Sequence, residues 1–252
     1  MVIFVENEVI DNIAIGENII ETDSEIIHYL LNVLRIKKGE KIILNSINNT
    51  VNNYKQVIAE FEKIIDKNKI KTKVITIGKF NIDFPLIDVF IVPLKSRYFE
   101  DSIEHISQLP INSIFLIKSK FISTSFQEIH KKIERLKKII YWNTIYVKKH
   151  FLTNIKFLDQ KLEDILKILS KKYTKIIIFD NRTNQEINID ILNIRIENIA
   201  LMIGPEGGWA KEEINLFTQY GQILKFKNIN IGLKAEIAPI VGISQLLGFI
   251  DK

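Results

Sequence analysis

The 252-residue chain contains no cysteine. This absence excludes disulfide bridges, cysteine-ligated zinc, iron–sulfur clusters and cysteine nucleophiles, and it fits a reducing compartment. Histidine is scarce as well, and the spacing of the four histidines matches no zinc-enzyme motif, so no metal site is predicted. The remaining groups that can carry chemistry are carboxylates, amines and the protein backbone.

Long hydrophobic runs are also missing. The longest apolar stretch, Ile237 to Ile250, is interrupted by Ser244 and Gln245 and falls short of the ~20 residues that span a bilayer. At the N-terminus, Glu6 follows the first apolar residues and no basic region precedes them, which argues against a signal peptide. The sequence therefore predicts a cytoplasmic protein that does not enter a membrane.

The composition that remains is ordinary for a globular protein, with 46% hydrophobic and 26% charged residues. The formal net charge of +5 favours an anionic partner such as nucleic acid, because bound cations release the counterions of phosphates. Lysine is simply abundant in this sequence, however. Charge alone therefore leaves open whether the protein binds nucleic acid or simply has a lysine-rich surface.

Residues 1–80 are predicted to form a small barrel-like domain. Apolar segments separated by turn residues predict four strands, at Val2–Val5, Lys41–Leu44, Tyr54–Phe61 and Lys71–Ile77. One helix is predicted to begin at Asp23 or Ser24 and to continue to Leu34, because apolar residues recur there at helical spacing. Mostly strands and a single helix within 80 residues are typical of a small barrel.

Residues 81–252 follow a different pattern, beyond a predicted linker at Lys79–Pro85. Apolar runs predict five strands, at Ile87–Val92, Ser113–Ile117, Lys175–Phe179, Ile199–Ile203 and Gln222–Phe226. Amphipathic stretches between and beyond them predict helices at Arg97–Leu109, Ser125–Tyr146, Asp159–Leu169, Lys211–Tyr220 and Glu236–Phe249. This alternation predicts an α/β domain with a parallel sheet.

The most informative segment is a glycine-rich loop between a strand and a helix. The apolar residues Leu201–Ile203 lead into Gly204-Pro205-Glu206-Gly207-Gly208-Trp209. Ligands of parallel sheets gather beyond the carboxyl ends of the strands, and glycines let a ligand approach the backbone closely. The loop lacks both the P-loop lysine and the dinucleotide glycine spacing. The loop therefore predicts a site in which main-chain groups bind a small molecule. The alternative is a tight strand-to-helix turn that binds no ligand.

The string Ile203–Trp209, followed by Glu212-Glu213, resembles the signature of the RsmE-type 16S rRNA uridine-N3 methyltransferases of the SPOUT superfamily. Gly232–Ala238 is similar to the Ile-Leu-Arg-Thr-Glu-Thr-Ala segment of that family. His28–Glu40 resembles its His-His-Leu and Val-Leu-Arg-Leu-x-x-Gly-Asp motifs. These motifs occur in the same order as in the family and extend from His28 to Ala238, so the resemblance covers nearly the whole chain.

The resemblance implies an N-terminal PUA-like RNA-binding β-barrel, residues 1–80. It implies a C-terminal SPOUT α/β domain, residues 81–252, with a trefoil knot near 199–245. The implied cofactor is S-adenosyl-L-methionine, the implied substrate is 16S rRNA of the small ribosomal subunit, and the implied assembly is a homodimer. The residues implied in cofactor binding are Leu201, Ile203, Gly204, Glu206, Gly207, Ile223, Leu224, Asn228 and Leu233.

Methyl transfer to N3 of uridine needs loss of the N3 proton and stabilisation of the negative charge that develops on the base. Lys234 is the candidate for the stabilising cation, at a position where the family has arginine. Glu206 is the candidate proton acceptor, although it could instead hold cofactor hydroxyls. Trp209 is expected to fill the core beneath the loop. The candidate RNA contacts are Arg35, Lys37, Lys95 and Arg135.

The chain departs from the family where the long helix normally continues into Glu-Ala-x-x-Gln-Ser-x-Arg. The corresponding stretch, Ile140–Lys148, retains almost none of that pattern. In the final motif, Ala235 and Ile237 replace threonines. These departures leave two alternatives open: an RNA-binding or ribosome-assembly protein that kept the fold and lost catalysis, or a SPOUT methyltransferase that acts on another RNA.

Overall fold

The computed structural model describes residues 1–47, 54–80, 86–187, 198–229 and 231–248. Within it the chain divides into two compact units. The first unit comprises Met1–Ile82 and Thr144–Leu152, and the second comprises Asp83–Asn143 and Thr153–Lys252. Of the predicted linker, residues 81–85 lie outside the described residues. The sequence pattern gave no indication that Thr144–Leu152 belongs with the N-terminal residues.

The first unit contains five strands: β1 (Val2–Val5), β2 (Gly16–Glu21), β3 (Lys41–Ser46), β4 (Tyr54–Asp66) and β5 (Lys69–Phe80). They form one sheet in the order β1-β3-β4-β5-β2. All neighbours are antiparallel except β1 and β3, which run parallel. The four predicted strands are present. Sequence reasoning missed β2, because this edge strand is mostly polar and half of it is exposed.

Two short helices and a π-helical turn accompany this sheet: α1 (Asn7–Asp11), α2 (Ser24–His28) and the turn Tyr29–Val33. Asp23 caps α2 as predicted, because its carboxylate accepts a hydrogen bond of 2.8 Å from the backbone N–H of Glu25. The predicted helix to Leu34 is wrong in its second half. There the backbone N–H of Leu34 donates to the carbonyl of Tyr29, five residues back, which is the π-helical pattern.

The segment Thr144–Leu152 is fastened to the sheet of the first unit by buried amides. Asn45 Nδ2 donates to the carbonyl of His150 at 2.9 Å, and Gln56 Nε2 donates to His150 Nδ1 at 2.8 Å. Burial lowers the pKa of His150, which keeps the ring neutral and able to accept this hydrogen bond. Asn45 and Gln56 are both buried, so their pairing with this segment satisfies polar groups that would otherwise destabilise the unit.

Lys149, in the same segment, should make the stability of the protein depend on pH. Burial lowers the pKa of its ammonium to about 7, from an ordinary value of 10.5. Between these values the unfolded chain binds one more proton, so Lys149 makes the protein more stable as pH rises, by at most about 1.4 kcal/mol per pH unit. We therefore expect Lys149→Met to flatten the rise in melting temperature between pH 7 and 10. Lys38→Met, at an exposed lysine of the same unit, should leave that rise unchanged; equal slopes in all three proteins would contradict the assignment.

The second unit contains six strands: β6 (Leu86–Ile91), β7 (Ser113–Ile117), β8 (Asn154–Leu158), β9 (Lys175–Phe179), β10 (Asn198–Ile203) and β11 (Gln222–Leu224). Their order is β11-β9-β10-β6-β7-β8, and every described neighbouring pair is parallel. The predicted parallel α/β sheet is therefore confirmed. Strand β10, at the centre, is buried on both faces, as its unbroken apolar run predicts.

The described helices of this unit are α3 (Ser96–Ser107), α4 (Phe126–His130), α5 (Ile133–Tyr146), α6 (Leu162–Lys172), α7 (Lys211–Phe217) and α8 (Ala238–Leu247). The predicted long helix Ser125–Tyr146 is wrong, because the chain breaks between α4 and α5. Ser125 caps α4 by accepting from the N–H of Glu128 at 3.1 Å. In the described part of the chain, no helix has the length and apolar character that a membrane span requires.

Candidate functional site

The carboxyl ends of β9, β10 and β11 are adjacent in the sheet, and the loops that follow these three strands enclose a cavity of about 280 Å³. Parallel sheets bind ligands at this edge. The described residues that line the cavity are Phe179, Asp180, Asn181, Arg182, Ile203, Gly204, Pro205, Glu206, Gly207, Gly208, Trp209, Phe226, Leu233, Ala235 and Ala238. Apolar side chains and glycine backbone dominate this wall, and charged groups stand only at Asp180, Arg182 and Glu206.

The glycine-rich loop owes its shape to a tight turn and to the indole beneath it. The N–H of Gly208 donates to the carbonyl of Pro205 at 2.8 Å, and Gly208 has a φ of 71°, which a side chain would strain. Trp209 is only 1% exposed and packs edge to face against Phe217, so the expectation that it fills the core is confirmed. A Cβ on Gly204 would stand 3.0 Å from this indole, so a side chain there would require the buried ring to shift.

An ion pair that sequence reasoning missed fastens the end of this loop to β9. Arg182 Nε and Nη2 donate to the two carboxylate oxygens of Asp180, at 2.9 and 2.5 Å. The same Nη2 donates to the carbonyl of Trp209 at 2.7 Å, and Trp209 Nε1 donates to the carbonyl of Phe179 at 3.3 Å. The carboxylate of Asp180 holds the pKa of Arg182 above its ordinary value. The sequence signal was an acid and an arginine directly after an apolar strand, which also occurs in ordinary turns.

The start of α7 is held by a carboxylate from within the helix. Glu213 accepts hydrogen bonds from the N–H of Ala210 at 2.7 Å, from Ser119 Oγ at 3.1 Å and from the N–H of Lys120 at 2.9 Å. These bonds tie the chain after β7 to the first turn of α7. Together with the bond from Arg182 to the carbonyl of Trp209, they fix the end of the glycine-rich loop where it meets α7.

Gly207 presents open backbone to the cavity. A Cβ built there would lie 3.5 Å from the Cβ of Phe121, which is an ordinary contact. Gly207 therefore needs no small side chain for packing. Because Gly207 lines the cavity, its main chain is open to a ligand there, as a ligand-binding role requires.

Five of the predicted cofactor-binding residues line this cavity: Ile203, Gly204, Glu206, Gly207 and Leu233. Leu201 and Leu224 are fully buried in the core instead, so that only their main chain could serve a ligand. Ile223 lines a second cavity, of about 770 Å³, beside α7 and β11. Asn228 occupies a turn after β11 with a φ of 57°. Asn230, two residues further along, lies outside the described residues.

Lys234, the predicted catalytic cation, lies between two residues of the cavity wall, Leu233 and Ala235. Its side chain is 78% exposed, and Nζ lies 3.9 Å from Glu236 Oε1. Glu206, the predicted proton acceptor, is exposed at the cavity. The two groups are therefore accessible to a large substrate that approaches from solvent.

The four predicted RNA contacts fall into both units. Arg35 and Lys37 are exposed in the first unit, after the π-helical turn. In the second unit Lys95 is exposed, and Arg135 Nη2 pairs with Glu100 Oε2 at 2.8 Å. Among the described residues, no three carboxylate or imidazole groups gather as metal ligands would.

Comparison with known proteins gives matches over the same regions. Residues 83–247 match the RNA methyltransferase domain family. The chain is 32% identical to the ribosomal RNA small subunit methyltransferase E of Buchnera aphidicola over 231 residues, which cover 87% of this chain and 86% of that protein. It is 26% identical to the ribosomal RNA small subunit methyltransferase E 2 of Borreliella burgdorferi, over 96% of both chains.

A solved structure has the same fold. The ribosomal RNA small subunit methyltransferase E of Neisseria gonorrhoeae, solved with S-adenosyl methionine bound, aligns with a TM-score of 0.76 over 98% of this chain and 96% of its own, at 17% identity. The parallel sheet with a cavity at its strand ends is thus that of an RNA methyltransferase domain. The chain belongs to the ribosomal RNA small subunit methyltransferase E family.

Proposed function

We propose that the protein methylates N3 of a uridine in the 16S rRNA of the small ribosomal subunit, with S-adenosyl-L-methionine as methyl donor. The observation that carries this proposal is the cavity formed by three adjacent strand ends, with the glycine-rich loop as one wall. Relatives named for methylation of small-subunit ribosomal RNA match over most of the chain. Together, the site and its relatives favour rRNA methylation over other ligand-binding functions.

The residues of the cavity fit the cofactor. Ile203, Phe226 and Leu233 provide apolar surface for an adenine ring, and the backbone at Gly207 leaves room for a ligand in close contact. The carboxylates of Asp180 and Glu206 can accept hydrogen bonds from ribose hydroxyls or from the amino group. Of the other residues implied in cofactor binding, Asn228 would contribute from the turn after β11, whereas Leu201 and Leu224 would support the cavity from the core and Ile223 lines the second cavity.

The bound cofactor supplies an electrophilic methyl group. The protein must remove the N3 proton of uridine, hold the base in line with the methyl group and stabilise negative charge on the uracil carbonyls. Glu206 is exposed at the cavity and can take the proton. Lys234 lies beside the cavity wall with its ammonium accessible to a base, and it supplies the positive charge.

Lys234→Ala should slow methyl transfer at least tenfold and change the affinity for S-adenosylhomocysteine less than twofold. The reason is that its ammonium acts on charge that exists only during the reaction. Single-turnover methylation and calorimetric titration measure the two effects separately. Glu236→Gln removes only the neighbouring carboxylate and is the matched control. Equal losses of rate and of cofactor affinity in Lys234→Ala would remove the assigned role.

The same proposal includes the details of the two domains, the assembly of the protein and the docking of the RNA. The N-terminal sheet would act as a PUA-like RNA-binding barrel, and the chain near 199–245 would form the SPOUT trefoil knot. The working form would be a cytoplasmic homodimer. RNA docking would involve Arg35 and Lys37 on the first unit and Lys95 and Arg135 on the second, which are exposed or carry a guanidinium at the surface.

Two measurements test the proposal against its alternatives. Titration with S-adenosylhomocysteine should give saturable binding at one site per chain; absence of binding would favour the RNA-binding protein without catalysis. Primer extension on rRNA from a deletion strain should lose a stop at one uridine of the 16S rRNA, because N3 methylation blocks base pairing. Loss of a stop in a different RNA would instead identify a SPOUT enzyme with another substrate.

A further inference from the structure

An aromatic pair on the first unit comes from two distant parts of the sequence. The rings of Tyr29 and Tyr146 meet edge to face, with centroids 5.5 Å apart and planes inclined by 67°. Tyr29 begins the π-helical turn, whereas Tyr146 ends α5 and belongs to the segment that joins the first unit. Tyr146 is nevertheless 58% exposed. A large ring that is held in place and still presented to solvent is suited to stacking with a flat ligand group.

The two segments that carry these rings are uniformly basic. Residues 29–38 and 144–152 contain five basic residues and no acidic one: Arg35, Lys37, Lys38, Lys148 and Lys149. Residues 1–28, in contrast, contain seven acidic residues and neither lysine nor arginine. Acidic and basic residues are therefore separated along these parts of the sequence, and both tyrosines lie in the basic segments. This combination favours a polyanion with flat, stackable groups.

Close to each tyrosine in the sequence, backbone hydrogen bonds form a turn that contains an exposed basic residue. The N–H of Leu34 donates to the carbonyl of Tyr29, and the N–H of Ile36 donates to the carbonyl of Leu30, both at 3.0 Å. These bonds close the turn around Arg35, which has a φ of 51°. After Tyr146, the N–H of Lys148 donates to the carbonyl of Ile145 at 3.1 Å, so that the chain turns back at once. Arg35 and Lys148 are both exposed.

We propose that Tyr29, Tyr146, Arg35, Lys37 and Lys148 form a platform for single-stranded RNA. An unpaired base stacks on the exposed ring of Tyr146, which Tyr29 holds in place, and the cations neutralise the phosphates on either side. The choice of RNA as ligand rests on the function proposed above. The platform lies partly on Ile140–Lys148, the stretch that departs from the family pattern, and it gives that departure a function in binding substrate.

The test uses a fluorescein-labelled oligouridine of twelve nucleotides and measures fluorescence anisotropy. Tyr146→Ala and Tyr146→Leu should each weaken its binding about tenfold, because one stacked base contributes ~1–3 kcal/mol. Tyr146→Phe keeps the ring and should bind as the parent protein does. Lys148→Gln should reduce the slope of log affinity against log salt by about 0.7, the value for one phosphate contact to a single strand.

Tyr98→Ala is the matched control, because Tyr98 is 51% exposed on α3 of the second unit and should not affect binding. Tyr146→Leu keeps apolar packing on Tyr29, so its result stands even if the alanine variant unfolds. Parent-like affinity in Tyr146→Leu, or an equal loss in Tyr98→Ala, would overturn the platform. So would undiminished binding of a twelve-base-pair RNA duplex relative to the single strand, because paired bases cannot stack on the ring.

Different experimental results would contradict the platform and the proposed function. If the platform is wrong, the tyrosine variants bind oligouridine normally while the parent protein still methylates 16S rRNA. If the proposed function is wrong, the parent protein leaves 16S rRNA unmodified, whatever its affinity for oligouridine. Measuring anisotropy and methylation on the same preparations therefore assigns a negative result to one proposal or the other.

Discussion

Gly207→Val should abolish binding of S-adenosylhomocysteine, with an affinity loss of more than a thousandfold, and should leave the protein folded. A Cβ at this position meets no atom closer than 3.5 Å, so the backbone can carry a side chain without strain. Gly207 is part of the wall of a cavity of only about 280 Å³, and we expect the branched methyl groups of valine to take up part of that space. Calorimetry with S-adenosylhomocysteine measures the loss, and thermal unfolding tests the fold.

Two further glycine variants make this expectation specific. Gly207→Ala adds a single methyl group and should weaken binding less than valine does. Gly221→Ala should instead lower the melting temperature, because a Cβ there would stand 2.6 Å from the carbonyl oxygen of Ile176. Undiminished affinity in Gly207→Val would mean that the cofactor lies elsewhere, and a melting temperature as low as that of Gly221→Ala would mean that Gly207 is structural.

The sequence predicted the parts of the fold in which local pattern and final environment agree. Strand β10 is buried on both faces at the centre of the sheet, and its apolar run is unbroken. Helix α2 begins at an aspartate that can cap it. In both cases the residues that determine the element are next to one another, so a short window of sequence contains the whole signal.

Elements that depend on distant partners were missed. Edge strand β2 alternates too weakly to be recognised, and it is held by pairing with β5, about fifty residues away. The segment Thr144–Leu152 belongs to the first unit through Asn45 and Gln56, which contact it from about a hundred residues earlier. No periodicity within the segment could have shown this.

The residues of the candidate site also fall into two groups, those that the sequence predicted and those that depend on distant partners. The glycine-rich loop was found because glycine and proline leave a distinctive string in the sequence, and five of the predicted cofactor-binding residues, three of them in the loop itself, line the cavity. Asp180 and Arg182 were not predicted as site residues, because an acid two residues before an arginine is common in turns. What distinguishes them is the carbonyl of Trp209, twenty-seven residues later, to which Arg182 donates. Only the parallel order of β9 and β10 brings these groups together.

Arg182→Ala should weaken the binding of S-adenosylhomocysteine about a hundredfold, because the carbonyl of Trp209 loses its donor and the glycine-rich loop is no longer fixed to β9. The variant should also be less stable by about 2 kcal/mol, since the Asp180 carboxylate is 6% exposed and would lose its counter-ion, keeping only the bond from the backbone N–H of residue 182. This figure is below the range for fully buried pairs because the Arg182 side chain is 60% exposed. Arg182→Lys should not restore binding, because one ammonium cannot reach both carboxylate oxygens and the carbonyl together.

Combining Arg182→Ala with Asp180→Asn separates the two effects. The double variant contains no unpaired buried carboxylate, so its melting temperature should recover most of the loss seen in Arg182→Ala. Its affinity for S-adenosylhomocysteine should stay low, because the carbonyl of Trp209 still has no donor. If affinity recovered together with stability, the arginine would act only by neutralising Asp180. If Arg182→Ala bound the ligand as the parent protein does, the loop would be fixed by other contacts, with Glu213 and the buried indole of Trp209 as the remaining anchors.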